Sequence, residues 1–248
     1  MPHQNEVSLS RKTIVRVLSA ITVFLLVTSV TWQLAKHAFG YDKTPGIIRL
    51  FNVNAEGNVP TFFSTFLLLF AALLLALITT LKRKVSDTRW CQWAILSFIF
   101  LSMAVDEASG IHESLHRPGQ WLLGSYATGI FTYAWVIFGI AFVLTFAIAY
   151  LQFYLHLDPQ AKKQFFFAAI AFLGGAIGME LWESYYNGLH GKHNLPYAML
   201  TTVEEGLEMA GIIIFINALL AYVMKQHEEI LLRFDELERK SILRDVYK

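Results

Sequence analysis

The sequence predicts an all-α integral membrane protein of six transmembrane helices, with both termini cytoplasmic and an amphipathic C-terminal helix. Three observations predict it. Of the 248 residues, 55% are hydrophobic and 16% are charged, where a soluble domain carries about 25% charge. The apolar residues come in blocks of about 20, the length at which a helix crosses a hydrocarbon core. Lys and Arg also sort by side: fifteen of the twenty fall on one side of the alternating loops, which the positive-inside rule assigns to the cytoplasm.

The first span, 13–35, is too long for a signal-peptide core and lacks a small-x-small cleavage site. It follows Arg11 and Lys12 and ends before Lys36. A punctuated stretch from Tyr41 leads to the second span, 61–81, with Pro60 placed to open the helix. Lys82, Arg83, Lys84 and Arg89 mark the next cytoplasmic turn, before the third span, 90–111. The fourth, 126–150, follows a loop from Arg117 to Ser125. A cytoplasmic loop with Lys162 and Lys163 precedes the fifth, 165–186, and a loop from Gly188 to Pro196 precedes the sixth, 201–224. Residues 1–224 thus form one transmembrane domain.

The remainder, 225–248, reads as a charged cytoplasmic helix. Ile230, Leu231, Phe234, Leu237, Ile242 and Leu243 recur at near-heptad spacing. It packs on the membrane or on itself, or it docks a cytoplasmic partner. The single Cys91 excludes an internal disulfide framework and any Cys-rich zinc or iron–sulfur site. A net charge of +1 gives no sign of a nucleic-acid partner.

Chemistry concentrates at the outer ends of three spans. The third ends in "MAVDEASGIHESLH", with Asp106, Glu107, His112, Glu113 and His116. The fifth ends in "GMELWESYYN", with Glu180 and Glu183, and the sixth begins "TTVEEGLEMAG", with Glu204, Glu205 and Glu208. No Lys or Arg lies in those stretches. At about 100° per residue, a continuous helix would put Asp106, Glu113 and His116 on one stripe, with Glu107 and His112 turned away from it. Glu180 and Glu183, with Asn187 beyond, share a face, as do Glu204 and Glu208. Gly174, Gly175 and Gly178 suit close helix approach.

A charged side chain at mid-bilayer costs about 2.5–3.5 kcal/mol on insertion scales, and neighbouring carboxylates repel. Protonation, water or a bound cation relieves both. A divalent metal is the reading that accounts for the gathering best, with Asp106, Glu113, His116, Glu180, Glu183, Glu204 and Glu208 as candidate ligands in some subset. Glu107, His112, Glu205 and Glu56 stand as candidates around them; Glu56 belongs to "NVNAEGNVPTFFS", ahead of the second span. A proton or cation pathway, or a hydrogen-bond network without chemistry, remains open. Trp32, Trp121, Trp135, Trp182 and Tyr185, near span ends, read as interfacial anchors.

Glu113-x-x-His116 has the E-x-x-H spacing of carboxylate-bridged di-iron and di-manganese bundles. The likeness is partial, because Glu180-x-x-Glu183 and Glu205-x-x-Glu208 carry Glu where His would stand. The donor types suit iron, manganese or zinc. At "AEGNVPTFFS", "DEASGIHE" and "EEGLEMAG" the chain also resembles six-helix bacterial inner-membrane proteins. That resemblance implies a bacterial cytoplasmic membrane and carries no activity.

Two function classes follow. One is a membrane metalloenzyme, an oxidase or hydrolase acting on a lipid-like or other apolar substrate at the outer leaflet. The other is a divalent cation or proton transporter, against which stands the scarcity of polar residues deeper in the spans. A non-catalytic membrane subunit is a third possibility.

Overall fold

The computed structural model describes residues 10–39 and 50–226. The described residues form helices and turns, with no strand among them. The helices are α1 (Arg11–Phe39), α2 (Val59–Lys84), α3 (Trp90–Ser109), α4 (Ile111–Ser114), α5 (His116–Leu123), α6 (Val136–His156), α7 (Pro159–Leu173), α8 (Glu180–His190) and α9 (Leu195–Gln226). A π-helical stretch, Gly174–Met179, joins α7 to α8 without a break. Six of these units are long and apolar enough to cross a membrane, the constitution of an integral membrane protein. The C-terminal helix expected over 225–248 lies outside the described residues from 227 onward, as do residues 1–9.

Sequence-local chemistry explains most helix starts. Asn58 caps α2, its Oδ1 accepting the Thr61 amide at 3.1 Å, and Pro60 fills an early position whose N–H has no helical partner. Asp158 caps α7 the same way, accepting from the Gln160 and Ala161 amides at 3.2 Å, with Pro159 behind it. This span therefore begins at 159, earlier than the 165 that hydropathy suggests. Asn194 likewise opens α9 ahead of 201, its Oδ1 accepting the Tyr197 amide at 2.9 Å.

Two expected boundaries fail for a backbone reason. The third span ends at Ser109, because Gly110 takes a left-handed φ of 60° and turns the chain. The fourth span starts at Val136 rather than 126. Residues 124–135 instead form two 3₁₀ turns around Gly124 and Gly129, both at positive φ. Their backbone is tied to other elements: the Tyr133 amide donates to Ser184 Oγ at 2.9 Å, and the Ala134 amide to His116 Nδ1 at 3.3 Å.

Helices α2 and α9 stand at the centre: half of the most apolar window of each is buried, against 11–22% for the other spans. Leu67, Ala71, Leu75 and Ile78 of α2 and Ile212, Ile216 and Leu219 of α9 build the core with Leu25 of α1 and Trp93 of α3. Trp93 packs against Phe153, Phe165 and Tyr222. Lipid tails are as apolar as these side chains, so the gain here comes from close packing rather than removal from water. Gly211 shows how close: a Cβ there would stand 2.5 Å from the Phe172 backbone nitrogen.

Candidate functional site: an acid-lined cavity

At the end of the bundle away from the start of α1, five segments enclose a cavity of about 710 Å³. It is lined by the 53–56 loop with the first turns of α2, the end of α3 with α4 and α5, the 127–135 turns, the π stretch with α8, and the start of α9.

The α3 side is shaped by Gly110. Its left-handed turn brings His112 back over the end of α3, so that the His112 amide donates to Asp106 Oδ1 at 2.7 Å. Nδ1 of the same residue lies 3.0 Å from Asp106 Oδ2. One carboxylate thus holds His112 at two points. The single continuous helix expected through Asp106, Glu113 and His116 is interrupted: Gly110 separates Asp106 from Glu113 in α4, and His116 opens α5 after Leu115. His112, expected to point away, is the residue that Asp106 grips. Burial alone would push the imidazole pKa down; Asp106, by hydrogen bond and charge, with help from Glu180 and Glu113, outweighs it and holds the ring above its ordinary value.

Glu56 reaches this side from the loop before α2, a loop closed by Asn58 Nδ2 donating to Asn52 O at 2.7 Å and Ala55 O at 2.6 Å. Desolvation, then the neighbouring Glu113 carboxylate, holds Glu56 above the usual carboxylate range. The loop is therefore both the turn that Pro60 ends and a wall of the cavity.

The opposite wall is built by α8 and α9. The six π-helical residues widen the helical turn just before Glu180. At Gly175 the α9 backbone passes so near that a Cβ would stand 2.8 Å from the Glu204 carbonyl oxygen and from Glu208 Cγ. Glu183 is 2% exposed. Its Oε2 accepts from Thr201 Oγ1 at 2.9 Å, while Oε1 makes no hydrogen bond of good geometry, although the Glu204 carboxyl and the Tyr197 hydroxyl lie beside this carboxylate. Glu204, 8% exposed, is an immediate electrostatic neighbour of Glu180 and Glu183. Glu205 and Glu208, on α9, are within electrostatic reach of Glu107 across the cavity and of Glu180 and Glu183 on their own wall.

All the residues nominated from sequence line this one cavity: Asp106, Glu107, His112, Glu113 and His116; Glu180 and Glu183; Glu204, Glu205 and Glu208; and Glu56. Glu107, expected to face away, lines it too. Other polar groups in the lining include Asn54, Thr61, Ser64, Gln120, Thr132 and Asn187; Ser64 Oγ is buried without a partner. His116 accepts the Ala134 amide through Nδ1, so the neutral ring carries its proton on Nε2. Ligation of a metal through Nδ1 would cost that hydrogen bond. Among the described residues no group of three or more His, Cys, Asp or Glu stands ready-arranged to hold a metal ion.

Several functional candidates escaped the sequence reading. Trp135, taken for an interfacial anchor, donates Nε1–H to Glu180 Oε1 at 2.9 Å and packs on the His112 ring with centroids 4.7 Å apart. Tyr133 and Tyr197 join hydroxyls at 2.8 Å. Lys192 reaches the lining from the short loop before α9. Tyr197, Thr201, Glu204 and Glu208 fall on one helical stripe, a spacing that could have extended the acidic face by two turns. The floor is apolar: Leu68, Met103, Phe172, Ala176 and Ile212.

Residues 17–223 match a domain of unknown function, DUF8692. The chain belongs to that family. The DUF8692 match runs from α1 nearly to the end of α9 and takes in every residue of the cavity. No curated protein and no solved structure matches the chain.

Proposed function

We propose that this DUF8692 protein resides in a bacterial cytoplasmic membrane with both termini inside, binds a divalent metal ion in the acid-lined cavity at the outer leaflet, and acts there as an enzyme on a lipid-like or otherwise apolar substrate. The observation that carries the reading is Glu183: a carboxylate 2% exposed, with one oxygen unpartnered, beside Glu180 and Glu204. Leaving a buried carboxylate oxygen unpaired is costly, and repulsion among neighbouring acids adds to the cost. A cation relieves both.

Carboxylates with imidazole suit iron, manganese or zinc. Glu183 with its electrostatic neighbours Glu180 and Glu204, and Glu208 on the same helix as Glu204, would be the donors on this wall; Asp106, Glu113 and His116 would supply further donors across the cavity. Bound there, such an ion supplies Lewis acidity, an activated water or redox capacity. The protein's own part is to hold the cavity and to orient donors, as Trp135 does for Glu180. A volume of about 710 Å³ over an apolar floor is of the size that takes a small organic molecule.

The floor supports an enzyme over a transporter. Below Leu68 and Ile212 the centre is filled by Leu75, Ile78, Ile216 and Leu219, all buried. Among the described residues, the contact between α2 and α9 below the floor is made of these apolar side chains.

The test is elemental mass spectrometry on protein purified in mild detergent without chelator, alongside Glu183→Gln and Glu208→Gln. Near-stoichiometric iron, manganese or zinc, lost in both variants, is the expected result. No bound metal in the wild type, even after supplementation, would overturn the metal reading and leave a proton-linked or structural role.

A further inference from the structure

A second cavity, of about 730 Å³, lies at the other end of the bundle, where the starts of α1 and α7 meet the end of α9. Its charge has the opposite sign. Arg11 and Lys12 line it from α1, Lys225 from α9, and Asp158 from the residue that caps α7.

Among the described residues the lining has one carboxylate, and it is already committed. Asp158 Oδ1 accepts the Gln160 and Ala161 amides at 3.2 Å and lies 3.4 Å from Lys225 Nζ. Arg11 and Lys12 make no ion pair among the described residues. They sit in the first turn of α1, which carries no acidic residue, so the positive end of that helix dipole adds to their charge. Between the helices the lining mixes Ala161, Ala218, Ala221 and Met224 with the polar Gln160, Gln164 and Tyr222. Cations at the edge of spans with apolar side chains beside them match an anionic amphiphile, with phosphate at the charges and chain along the alanines.

We propose that this cavity is a binding site for the headgroup of an anionic phospholipid, with Arg11 and Lys12 as its phosphate contacts. Basic pockets between transmembrane helices select such headgroups, each Lys or Arg adding favourable electrostatics that falls off within a Debye length. The site is independent of the acid-lined cavity and of any metal there.

The experiment is native mass spectrometry of the full-length protein, released from detergent containing equimolar phosphatidylglycerol and phosphatidylcholine. Wild-type protein is expected to retain phosphatidylglycerol over phosphatidylcholine, and the double variant Arg11→Gln/Lys12→Gln to lose that preference by about tenfold or more. A second double variant, Lys162→Gln/Lys163→Gln, changes basic residues at the same end that do not line the cavity, and should keep the preference. Unchanged melting temperature in both variants shows that the fold survives. Equal retention of the two lipids by wild type would overturn the proposal. So would equal loss in both double variants, which would mean a diffuse basic belt. Complete displacement by millimolar inorganic phosphate would assign the cavity to a soluble anion.

Discussion

Asp106 holds His112 by both its backbone and its ring, Oδ1 accepting the amide at 2.7 Å and Oδ2 lying 3.0 Å from Nδ1. The grip exists because Gly110, at φ 60°, folds the chain back over the end of α3. It fixes the imidazole against Trp135 and, through Trp135, connects to Glu180.

This pair makes the metal-free protein pH-sensitive with a definite sign. His112 is held above its ordinary value of 6.5, with Asp106 as the main opponent of burial and Glu180 and Glu113 assisting. A raised folded-state pKa contributes stability that is fully present below the unfolded value and is lost as pH rises through the folded one. In chelator, wild-type protein should therefore lose melting temperature as pH climbs from 6 past the His112 titration, and His112→Gln should lose less over the same range. Histidine NMR titration of Asp106→Asn should show His112 moved down; an unmoved value would mean that Asp106 does not hold it.

Gly175 and Gly174 are adjacent in the π-helical stretch yet should respond in opposite directions to alanine. A Cβ at 175 meets the Glu204 carbonyl and Glu208 Cγ at 2.8 Å, whereas at 174 nothing lies within 4 Å. Gly175→Ala should destabilise by about 1–3 kcal/mol as α9 is pushed off. Gly174→Ala should be neutral or stabilising by up to about 1 kcal/mol. Thermal melts of the two variants side by side decide it.

Removing the charge of Glu183 should not destabilise the metal-free fold. Its Oε1 makes no hydrogen bond of good geometry, so Glu183→Gln in chelator should melt no lower than wild type. Thr201→Val, which removes the hydroxyl that donates to Oε2 at 2.9 Å, should cost about 1 kcal/mol or more. A large loss in Glu183→Gln alone would show that the carboxylate is paired after all.

Trp135 and Glu180 should be energetically coupled. A double-mutant cycle with Trp135→Phe and Glu180→Gln should return about 1–2 kcal/mol for the 2.9 Å hydrogen bond. Additive losses would mean that the indole only fills space.

Much of the architecture was legible because hydropathy is a property of short stretches. Runs such as Phe66 to Ile78 have to lie in lipid or in a core, and alternating spans placed the ends of the third and fifth spans beside the start of the sixth. That is why Asp106, Glu183 and Glu208 could be expected at one end. Span edges were less legible. Asp158-Pro159 looked like a loop by composition, but as cap and first residue they start α7. The stretch from 126 to 135 looked like the start of a helix, but Gly129 at positive φ and hydrogen bonds to Ser184 and His116 hold it in turns.

The sequence by itself determined six apolar helices, the one end at which the acidic residues gather, and the basic residues at the other. These follow from composition and from chain direction, which reverses at every span. Only the tertiary structure decided that Gly110 breaks the helix and hands Asp106 to His112. It also decided that Trp135, Tyr133 and Tyr197 join the cavity, that Glu183 is left with an unpartnered oxygen, and that Arg11 and Lys12 face a space between helices. Each of those depends on groups distant along the chain coming within a few ångströms of one another. A hydrogen bond or a steric contact is decided at that scale, which no periodicity in a single segment records.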